Sequence, residues 1–120
     1  MGGAMKQSKK WPGKAEPRIV CAANHYSFKN IINQEDDFLI VGPRHNDLTM
    51  LNQLKICEVY LNDEGILIED AHVEQGFIDQ FGDFYTRQEA WKIAEANGQI
   101  YRRVGGDDRN GGTLYSENLY

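Results

Sequence analysis

Residues 83–112 combine aromatic side chains, arginines and glycines, in the order DFYTRQEAWKIAEANGQIYRRVGGDDRNGG. A protein needs these residue types to hold a small phosphorylated ligand. Aromatic rings stack on a base, guanidinium groups pair with phosphate, and glycines let the main chain approach closely. Phe84 and Tyr85 offer flat surfaces, and Arg109 lies between two glycine pairs. The stretch therefore predicts a nucleotide site, with a helix end followed by a loose loop as the alternative.

Each of these side chains also has a purely structural interpretation. Trp91 shares a helix edge with Arg87 and suits stacking, but tryptophan belongs more often to a core. Arg102 and Arg103 are adjacent, so in a strand only one of them faces a given site. The composition of residues 105–112 is that of a mobile loop. The ligand-binding residues predicted from the whole chain are Arg44, His45, Phe84, Arg87, Trp91, Arg102, Arg103, Arg109, Thr113 and Tyr115.

The sequence PRHND, residues 43–47, is the second place where chemistry is possible. A His45–Asp47 pair could act as acid and base or bind a metal. The alternative is that Asn46 or Asp47 caps a helix while His45 makes a main-chain hydrogen bond. The sequence contains no G-x-S-x-G, Walker A, G-x-G-x-x-G or HExxH motif. We therefore expect a binding protein rather than an enzyme, with no catalytic residue, metal or cofactor.

The charge distribution argues against binding to DNA or RNA as a polymer. Residues 1–18 carry a net charge of +4 and the rest of the chain carries −9. Polymer binding needs many Lys and Arg contacts with phosphates, and the acidic body would repel a duplex. Residues 58–83 contain eight carboxylates and no Lys or Arg. They lack the ligand spacing of a calcium loop, which favours a solvated acidic face.

Length and composition predict one globular domain. With 120 residues and 41% hydrophobic content, the chain can bury one core. Residues 1–17, rich in Gly, Lys and Pro, are predicted to be a flexible basic lead-in to a single domain over 18–120. No stretch has the length of a membrane span or the pattern of a signal peptide. Cys21 and Cys57, far apart in the chain, indicate a reduced cytosolic protein.

The apolar patterns predict an α+β fold with an antiparallel or mixed sheet and two helices, the second near the C-terminus. The predicted elements are strands at 18–26, 37–43, 72–79 and 100–104, a helix of two to three turns from residue 48, a hairpin over 55–70 and a helix between residues 86 and 98. The continuous apolar run Phe38–Val41 predicts a central strand buried on both faces. The hairpin prediction depends on two β-rich runs around Asn62–Gly65.

The second helix has start and stop signals of its own. Thr86 to Glu89 form a capping box, and Gly98 suits the left-handed position after a helix. Ala90 and Ala94 give the helix a narrow face, and the C-terminal TLYSENLY is too apolar to remain in water. We therefore expect close packing against another element and a homo-oligomer, at least a dimer.

Four motifs occur in a characteristic order: RIVCAANHY, VGPRHND, EQGFIDQFGDFYTRQEAWKIAEANGQI and LYSENLY. In this combination the chain resembles a group of small phage proteins, the first-described Thoeris anti-defence (anti-Thoeris) family. The similarity covers residues 18–53 and 73–120. The sequence CEVYLNDEGILIEDAH and the basic lead-in lie outside it.

That resemblance implies a molecular sponge. Members of the family sequester the cyclic ADP-ribose isomer made by bacterial TIR-domain immune proteins without destroying it. Some also bind cyclic oligonucleotides of the CBASS system (an anti-CBASS activity) at a separate site. The implied partners are a cyclic ADP-ribose isomer, cyclic di- or trinucleotides and the chain itself, as a homodimer or trimer of dimers with pockets between subunits. The implied location is the host bacterial cytoplasm, with no membrane and no nucleic-acid polymer as partner.

A sponge needs affinity but no nucleophile, which agrees with the absence of catalytic motifs. Phe84 is predicted to stack on the adenine and Arg109 to pair with the pyrophosphate. Two alternatives stay open. One is an inhibitor that binds a host protein through the acidic residues 58–83, and the other is a hydrolase that cleaves the messenger with His45 and Asp47.

Overall fold

A computed structural model describes residues 16–120 and confirms the α+β class. The predicted lead-in, residues 1–17, lies outside the described residues except for Glu16 and Pro17. The elements in chain order are β1 (Ile19–Lys29), β2 (Glu35–Gly42), α1 (Leu48–Asp63), β3 (His72–Asp79), β4 (Phe84–Thr86) and α2 (Arg87–Ala96), with short 3-10 turns at Ile68–Asp70, Arg109–Gly111 and Ser116–Asn118.

The four strands form one sheet in the order β2-β1-β3-β4, and every pairing is antiparallel. Asn24 of β1 pairs with Ile40 of β2 and with Gln75 of β3. Because side chains alternate between the two faces of a strand, these three share one face with Phe77. We call this the inner face, since it carries the core. The core consists of Ile19, Ala22, Tyr26, Ile40, Met50, Phe77, Tyr85, Ala90, Trp91, Ala94 and Leu114.

β2 lies at an edge of the sheet, so the prediction that Phe38–Val41 forms a central strand was wrong. The outer edge of β2 is covered by the side chain of Gln53, from α1. Its amide accepts a hydrogen bond from the Val41 N–H (2.9 Å) and donates one to the Val41 carbonyl. At Val41, the side chain thus takes the place of a neighbouring strand.

The hairpin predicted over residues 55–70 was also wrong, because α1 continues to Asp63. Leu54 and Leu61, two turns apart, lie on the side of α1 that packs against the rest of the chain. Gly65, interpreted as part of a hairpin turn, has a φ of 78° and instead follows the helix end. A glycine with positive φ ends a helix as readily as it turns a hairpin, so the local signal fitted both structures.

α2 begins and ends as predicted. The Thr86 hydroxyl accepts a hydrogen bond from the Glu89 N–H (3.2 Å), and the Glu89 carboxylate accepts one from the Thr86 N–H (2.9 Å). This reciprocal pair is the capping box. Gly98, with a φ of 67°, follows the helix in the left-handed conformation.

The strand predicted at residues 100–104 does not form. The N–H groups of Tyr101 and Arg102 donate instead to a single acceptor, the carbonyl of Asn118 (2.7 and 3.3 Å). The chain here pairs with its own C-terminal turn rather than with the sheet. Leu114 and Asn118 are fully buried, which confirms that the C-terminal sequence packs against the domain.

The narrow face of α2 packs inside the same chain. Ala90 and Ala94 are fully buried, and Leu114 from the C-terminal segment lies in the same core. The predicted close packing is therefore confirmed. However, both features that motivated a homo-oligomer are satisfied within one chain, so an interface between copies has to use another surface.

Candidate functional site

Three of the predicted arginines hold the C-terminal segment, residues 113–120, through its main-chain oxygens. The pairs are Arg87 Nη1 with Leu114 (2.8 Å), Arg102 Nε with Glu117 (2.9 Å) and Arg44 Nη2 with Tyr120 (2.8 Å). Hydrogen bonds from a charged donor are stronger than those between neutral groups. These arginines therefore have a structural role in positioning the segment.

Asp107 organises the loop that precedes this segment. Its side chain is buried (3% exposed) and accepts hydrogen bonds from Arg103 Nε and Nη2 (2.8 and 2.6 Å), the Val104 N–H (2.9 Å) and Asn118 Nδ2 (3.0 Å). The hydrogen bonds from Arg103 are the main reason that the pKa of Asp107 lies well below its usual range. Residues 105–112 are thus a hydrogen-bonded turn, not the loose loop that their composition predicted.

Trp91 lies in the core, as the structural interpretation of this residue predicted. Its side chain is 7% exposed, and the guanidinium carbon of Arg103 lies 5.4 Å from the centre of the indole. Gly112 has a φ of 127° and lies so close that a Cβ there would approach the ring to 2.1 Å. Trp91 is therefore covered on the side that a base would need, and Arg103 is already paired with Asp107.

Arg87, Tyr115 and Arg109 form the arrangement best suited to an anion, which we call the Tyr115 cluster. The guanidinium carbon of Arg87 lies 4.9 Å from the centre of the Tyr115 ring. The Tyr115 hydroxyl and the Arg109 guanidinium each lie 3.4 Å from the position that a Cβ on Gly106 would occupy. Gly106 has a φ of 89°, so a side chain there would be strained and would fill this space. Thr113 is buried, and its hydroxyl donates to the Arg109 carbonyl (2.8 Å) and fixes the loop.

The two arginines of the Tyr115 cluster are in different electrostatic states. Arg87 is half-buried, its Nη2 donates to Gln75 Oε1 (2.8 Å), and burial lowers its pKa. Arg109 is exposed, and its guanidinium makes no hydrogen bond or ion pair with the described part of the chain. Its charge is thus available to a phosphate. The negative charge of the Glu117 carboxylate partly offsets the effect of burial by raising the pKa of Arg87, and the same charge repels an incoming anion.

His45 and Asp47 bind different main-chain groups and do not form an acid–base pair. His45 Nε2–H donates to the Gly76 carbonyl (2.8 Å), and burial, followed by the charge of Arg87, lowers the pKa of His45. Asp47 is the N-cap of α1 and accepts a hydrogen bond from the Met50 N–H (2.9 Å). The structural interpretation of this motif is therefore the one that the protein adopts.

Arg44 lies beside a groove and contacts Tyr120 rather than Tyr115. Its guanidinium carbon is 4.9 Å from the centre of the Tyr120 ring, and the Tyr120 hydroxyl donates to the Pro43 carbonyl. The groove has a volume of about 500 Å³ and is lined by Val20, Cys21, Val41, Gly42, Pro43, Thr49, Gln53 and Tyr120. Arg44 thus joins the groove to the C-terminal segment and lies outside the Tyr115 cluster.

Phe84 lies on the face of the sheet opposite the inner face. Successive residues of β4 point to opposite faces, and the next residue, Tyr85, belongs to the core. The Phe84 ring packs on Gly76, and its centre is 5.3 Å from that of His25. Arg87, whose Nη2 binds Gln75, lies on the inner face with the Tyr115 cluster. Within one chain, the predicted stacking and phosphate groups therefore face different sides of the sheet.

Residues 58–83 do not form one acidic surface. Asp79 and Asp83 are buried (1% and 9% exposed), and the Tyr85 hydroxyl donates to Asp79 Oδ2 (2.7 Å). Glu69 and Glu74 are among the carboxylates that stay exposed. The predicted solvated acidic face was therefore wrong for at least two of the eight carboxylates.

The sequence interpretation did not identify Gln75, Gly106 or Asp107 as parts of the site. Gln75 alternates with Phe77 on the inner face, and a polar residue in that pattern indicates a buried partner such as Arg87. Arg103 and Asp107 are four residues apart, a spacing that permits an ion pair. The first signal could have indicated that Arg87 is paired, and the second that the loop is ordered.

A family model described as Phage T4 y16D protein matches residues 18–120. The chain belongs to this family. The description identifies a phage protein and states no activity, and the matched region contains the whole Tyr115 cluster. No curated protein and no solved structure matches the chain.

Membership of the phage T4 y16D family confirms the phage origin that the resemblance implied. The anti-Thoeris activity stays a prediction. Among the residues that the structure describes, no helix has the length and apolar character needed to cross a membrane.

Proposed function

We propose that this phage protein is a sponge that binds a cyclic ADP-ribose isomer in the host bacterial cytoplasm without cleaving it. The observation that carries the proposal is the Tyr115 cluster, in which the Tyr115 hydroxyl and the Arg109 guanidinium, free of hydrogen bonds and ion pairs within the described chain, both lie next to Gly106. The resemblance to the anti-Thoeris family supports the choice of messenger. Cyclic di- and trinucleotides, which offer the same phosphate chemistry, are the other candidate ligands.

The space between Arg109 and Tyr115 suits the pyrophosphate of the ligand. Both side chains can donate hydrogen bonds to a phosphate oxygen, and Gly106 adds no side chain beside them. Arg109 gives up no hydrogen bond within the described chain when it binds a phosphate. A hydrogen bond to a charged group contributes roughly 1.5–3 kcal/mol.

Arg87 supports the same site through its contact with the tyrosine ring. Its contact with the ring holds the phenol in place through a cation–π interaction. Its half-buried charge is less screened by solvent than an exposed charge. The burial that lowers the pKa of Arg87 disfavours its charged form, and a bound anion offsets that effect.

The contacts of His45 and Asp47 support sequestration over cleavage. A hydrolase that used them would need both side chains directed at the ligand. His45 instead donates to the Gly76 carbonyl, and Asp47 accepts from the Met50 N–H. These contacts favour the sponge over the hydrolase alternative.

Isothermal titration calorimetry against a panel of nucleotides tests the proposal. The panel contains cyclic ADP-ribose isomers, linear ADP-ribose, and cyclic di- and trinucleotides. We expect saturable binding of a cyclic ADP-ribose isomer that weakens in Arg109→Ala. Arg18→Ala is the matched control, since Arg18 is also exposed but lies before β1. Absence of binding to the whole panel, or equal weakening by both substitutions, would contradict the proposed site.

A further inference from the structure

Glu117 is an exposed residue on an otherwise buried turn directly after Tyr115. Its neighbours on both sides, Ser116 and Asn118, are buried. The turn is fixed by two main-chain hydrogen bonds. The Asn118 N–H donates to the Tyr115 carbonyl (2.9 Å), and Arg102 Nε donates to the Glu117 carbonyl (2.9 Å). The backbone of Glu117 is therefore held in place beside Tyr115, while its side chain is directed away from the core.

The carboxylate of Glu117 is an unusual group to find beside a site for an anion. Within the part of the chain that the structure describes, it makes no hydrogen bond or ion pair. Its negative charge acts on Arg87 and His45 and works to raise the pKa of both. An ionised carboxylate only accepts hydrogen bonds, so it repels phosphate and attracts hydroxyl donors. A site that bound nothing but phosphate would be stronger without it.

We propose that the Glu117 carboxylate accepts hydrogen bonds from the free ribose hydroxyls of the ligand, while Arg109 holds the phosphate. This inference rests on the proposed function and names the part of the nucleotide that decides which ligands the site accepts. Arg109 lies near the hydroxyl of Tyr115, and Glu117 follows Tyr115 by two residues. A cation and an anion near the same tyrosine suit a ligand in which phosphate and ribose are joined by a few bonds.

The ligands that fit have a pyrophosphate next to a ribose with two free hydroxyls. Each cyclic ADP-ribose isomer keeps at least one such ribose. In a cyclic di- or trinucleotide, one of the two hydroxyls of every ribose is bound to phosphate, which brings a like charge towards Glu117. Carboxylates bind ribose hydroxyls in the same way in dinucleotide-binding folds. Glu117 therefore favours cyclic ADP-ribose over cyclic oligonucleotides at this site.

Calorimetry with modified ligands on the full chain tests the role of Glu117. The ligands are cyclic ADP-ribose and two derivatives that lack one hydroxyl, either on the adenosine ribose or on the second ribose. We expect the parent to bind at least one derivative roughly ten- to a hundredfold more weakly than the unmodified ligand, because a hydrogen bond to a charged acceptor is lost. In Glu117→Ala this ratio of affinities should fall below about threefold. Glu64→Ala, which removes an exposed carboxylate at the end of α1, is the matched control and should keep the ratio of the parent.

The ratio distinguishes a hydrogen bond from the charge alone. All three ligands carry the same charge, so a carboxylate that only repelled them would change every affinity by the same factor. An unchanged ratio in Glu117→Ala, or an equal fall in Glu64→Ala, would therefore overturn this inference and leave binding at Arg109 intact. No binding of cyclic ADP-ribose to the parent, or binding that Arg109→Ala does not weaken, would instead contradict the proposed function and remove this inference with it.

Discussion

Residues 101–120 and helix α1 are stabilised in opposite ways. Residues 101–120 contain only short 3-10 turns, yet the side chains of Asp107, Leu114 and Asn118 are buried. α1 is a continuous helix of 16 residues, yet its buried residues are only two, Met50 and Leu61. In the irregular segment, side chains satisfy the main-chain groups and fill the core. In α1 the backbone satisfies itself and leaves half of the apolar side chains in water.

This difference shows that regular secondary structure does not indicate which part of the molecule is positioned most firmly. The buried Asp107 carboxylate joins the side chains of Arg103 and Asn118 to the Val104 N–H. That arrangement holds Gly106 and Arg109 in place beside Tyr115. A ligand site needs such fixed groups, whereas an exposed apolar helix face needs a partner protein. The proposed ligand site therefore lies within residues 101–120, where side chains hold the irregular chain in place.

The largest effect should come from the core residue of the C-terminal segment. Leu114→Ala should lower the free energy of unfolding by roughly 2–5 kcal/mol, because it leaves a cavity around a fully buried side chain. Leu67→Ala, at a position 51% exposed just after α1, should change it by less than about 0.5 kcal/mol. Urea denaturation measures both. Equal losses would mean that the irregular segment is not part of the core.

The next effect separates two arginines of residues 101–120, Arg109 and Arg103. Arg109→Ala should weaken binding of the cyclic ADP-ribose isomer ten- to a hundredfold, since it removes one charge-assisted contact. Its melting temperature should not change, because the side chain is exposed. Arg103→Ala should leave the affinity unchanged and lower the melting temperature, because it leaves the buried Asp107 carboxylate without its closest partner. Calorimetry measures binding and thermal melts measure stability for both variants. Weaker binding in Arg103→Ala together with a lower melting temperature in Arg109→Ala would contradict these roles.

A smaller effect should appear in the pH dependence of stability. The folded-state pKa of Asp107 lies below the unfolded value of 3.8. The ionised carboxylate therefore stabilises the fold above that pH, and this contribution is lost as the pH falls further. Asp107→Asn lacks the contribution at every pH. Its melting temperature should be lower than that of the parent at pH 6, and the difference should narrow below about pH 4. A constant difference would show that the carboxylate charge is not what Arg103 and Asn118 stabilise.

The smallest effect is expected at Phe84. Because Phe84 lies on the sheet face opposite the Tyr115 cluster, Phe84→Ala should change affinity by less than about threefold if one chain holds the ligand. A loss of ten- to a hundredfold, as stacking on adenine predicts, would place the ligand between two copies.

Two signals that depend only on neighbouring residues predicted the local structure correctly, and both mark the ends of α2. The capping box of Thr86 and Glu89 and the left-handed Gly98 are examples, since every interaction involved lies within one helix end. The hairpin over 55–70 was wrong because positive φ at Gly65 fits either a turn or a helix end. The choice depends on whether Leu54 and Leu61 find a surface to pack against, and the local sequence does not contain that information.

The site could be predicted by residue type but not by arrangement. Arginines, aromatics and glycines were identified, but their grouping depends on contacts distant in sequence. Arg87 meets Leu114 across 27 positions, and Arg44 meets Tyr120 across 76. Side chains alternate along β4, so Phe84 lies on the opposite face of the sheet from Arg87, only three residues later. It is therefore also separated from the Tyr115 cluster. Burial of Trp91 beneath Gly112 likewise becomes visible only in the folded chain.

The most direct test of the account measures free messenger before and after heat denaturation of the protein. The parent protein and Arg109→Ala are each mixed with an equimolar cyclic ADP-ribose isomer, and the free ligand is quantified by chromatography. We predict that the parent depletes the free messenger, that heating returns it intact, and that Arg109→Ala depletes much less. A parent that leaves the free messenger undiminished, or that releases cleavage products on heating, would contradict sequestration at the Tyr115 cluster.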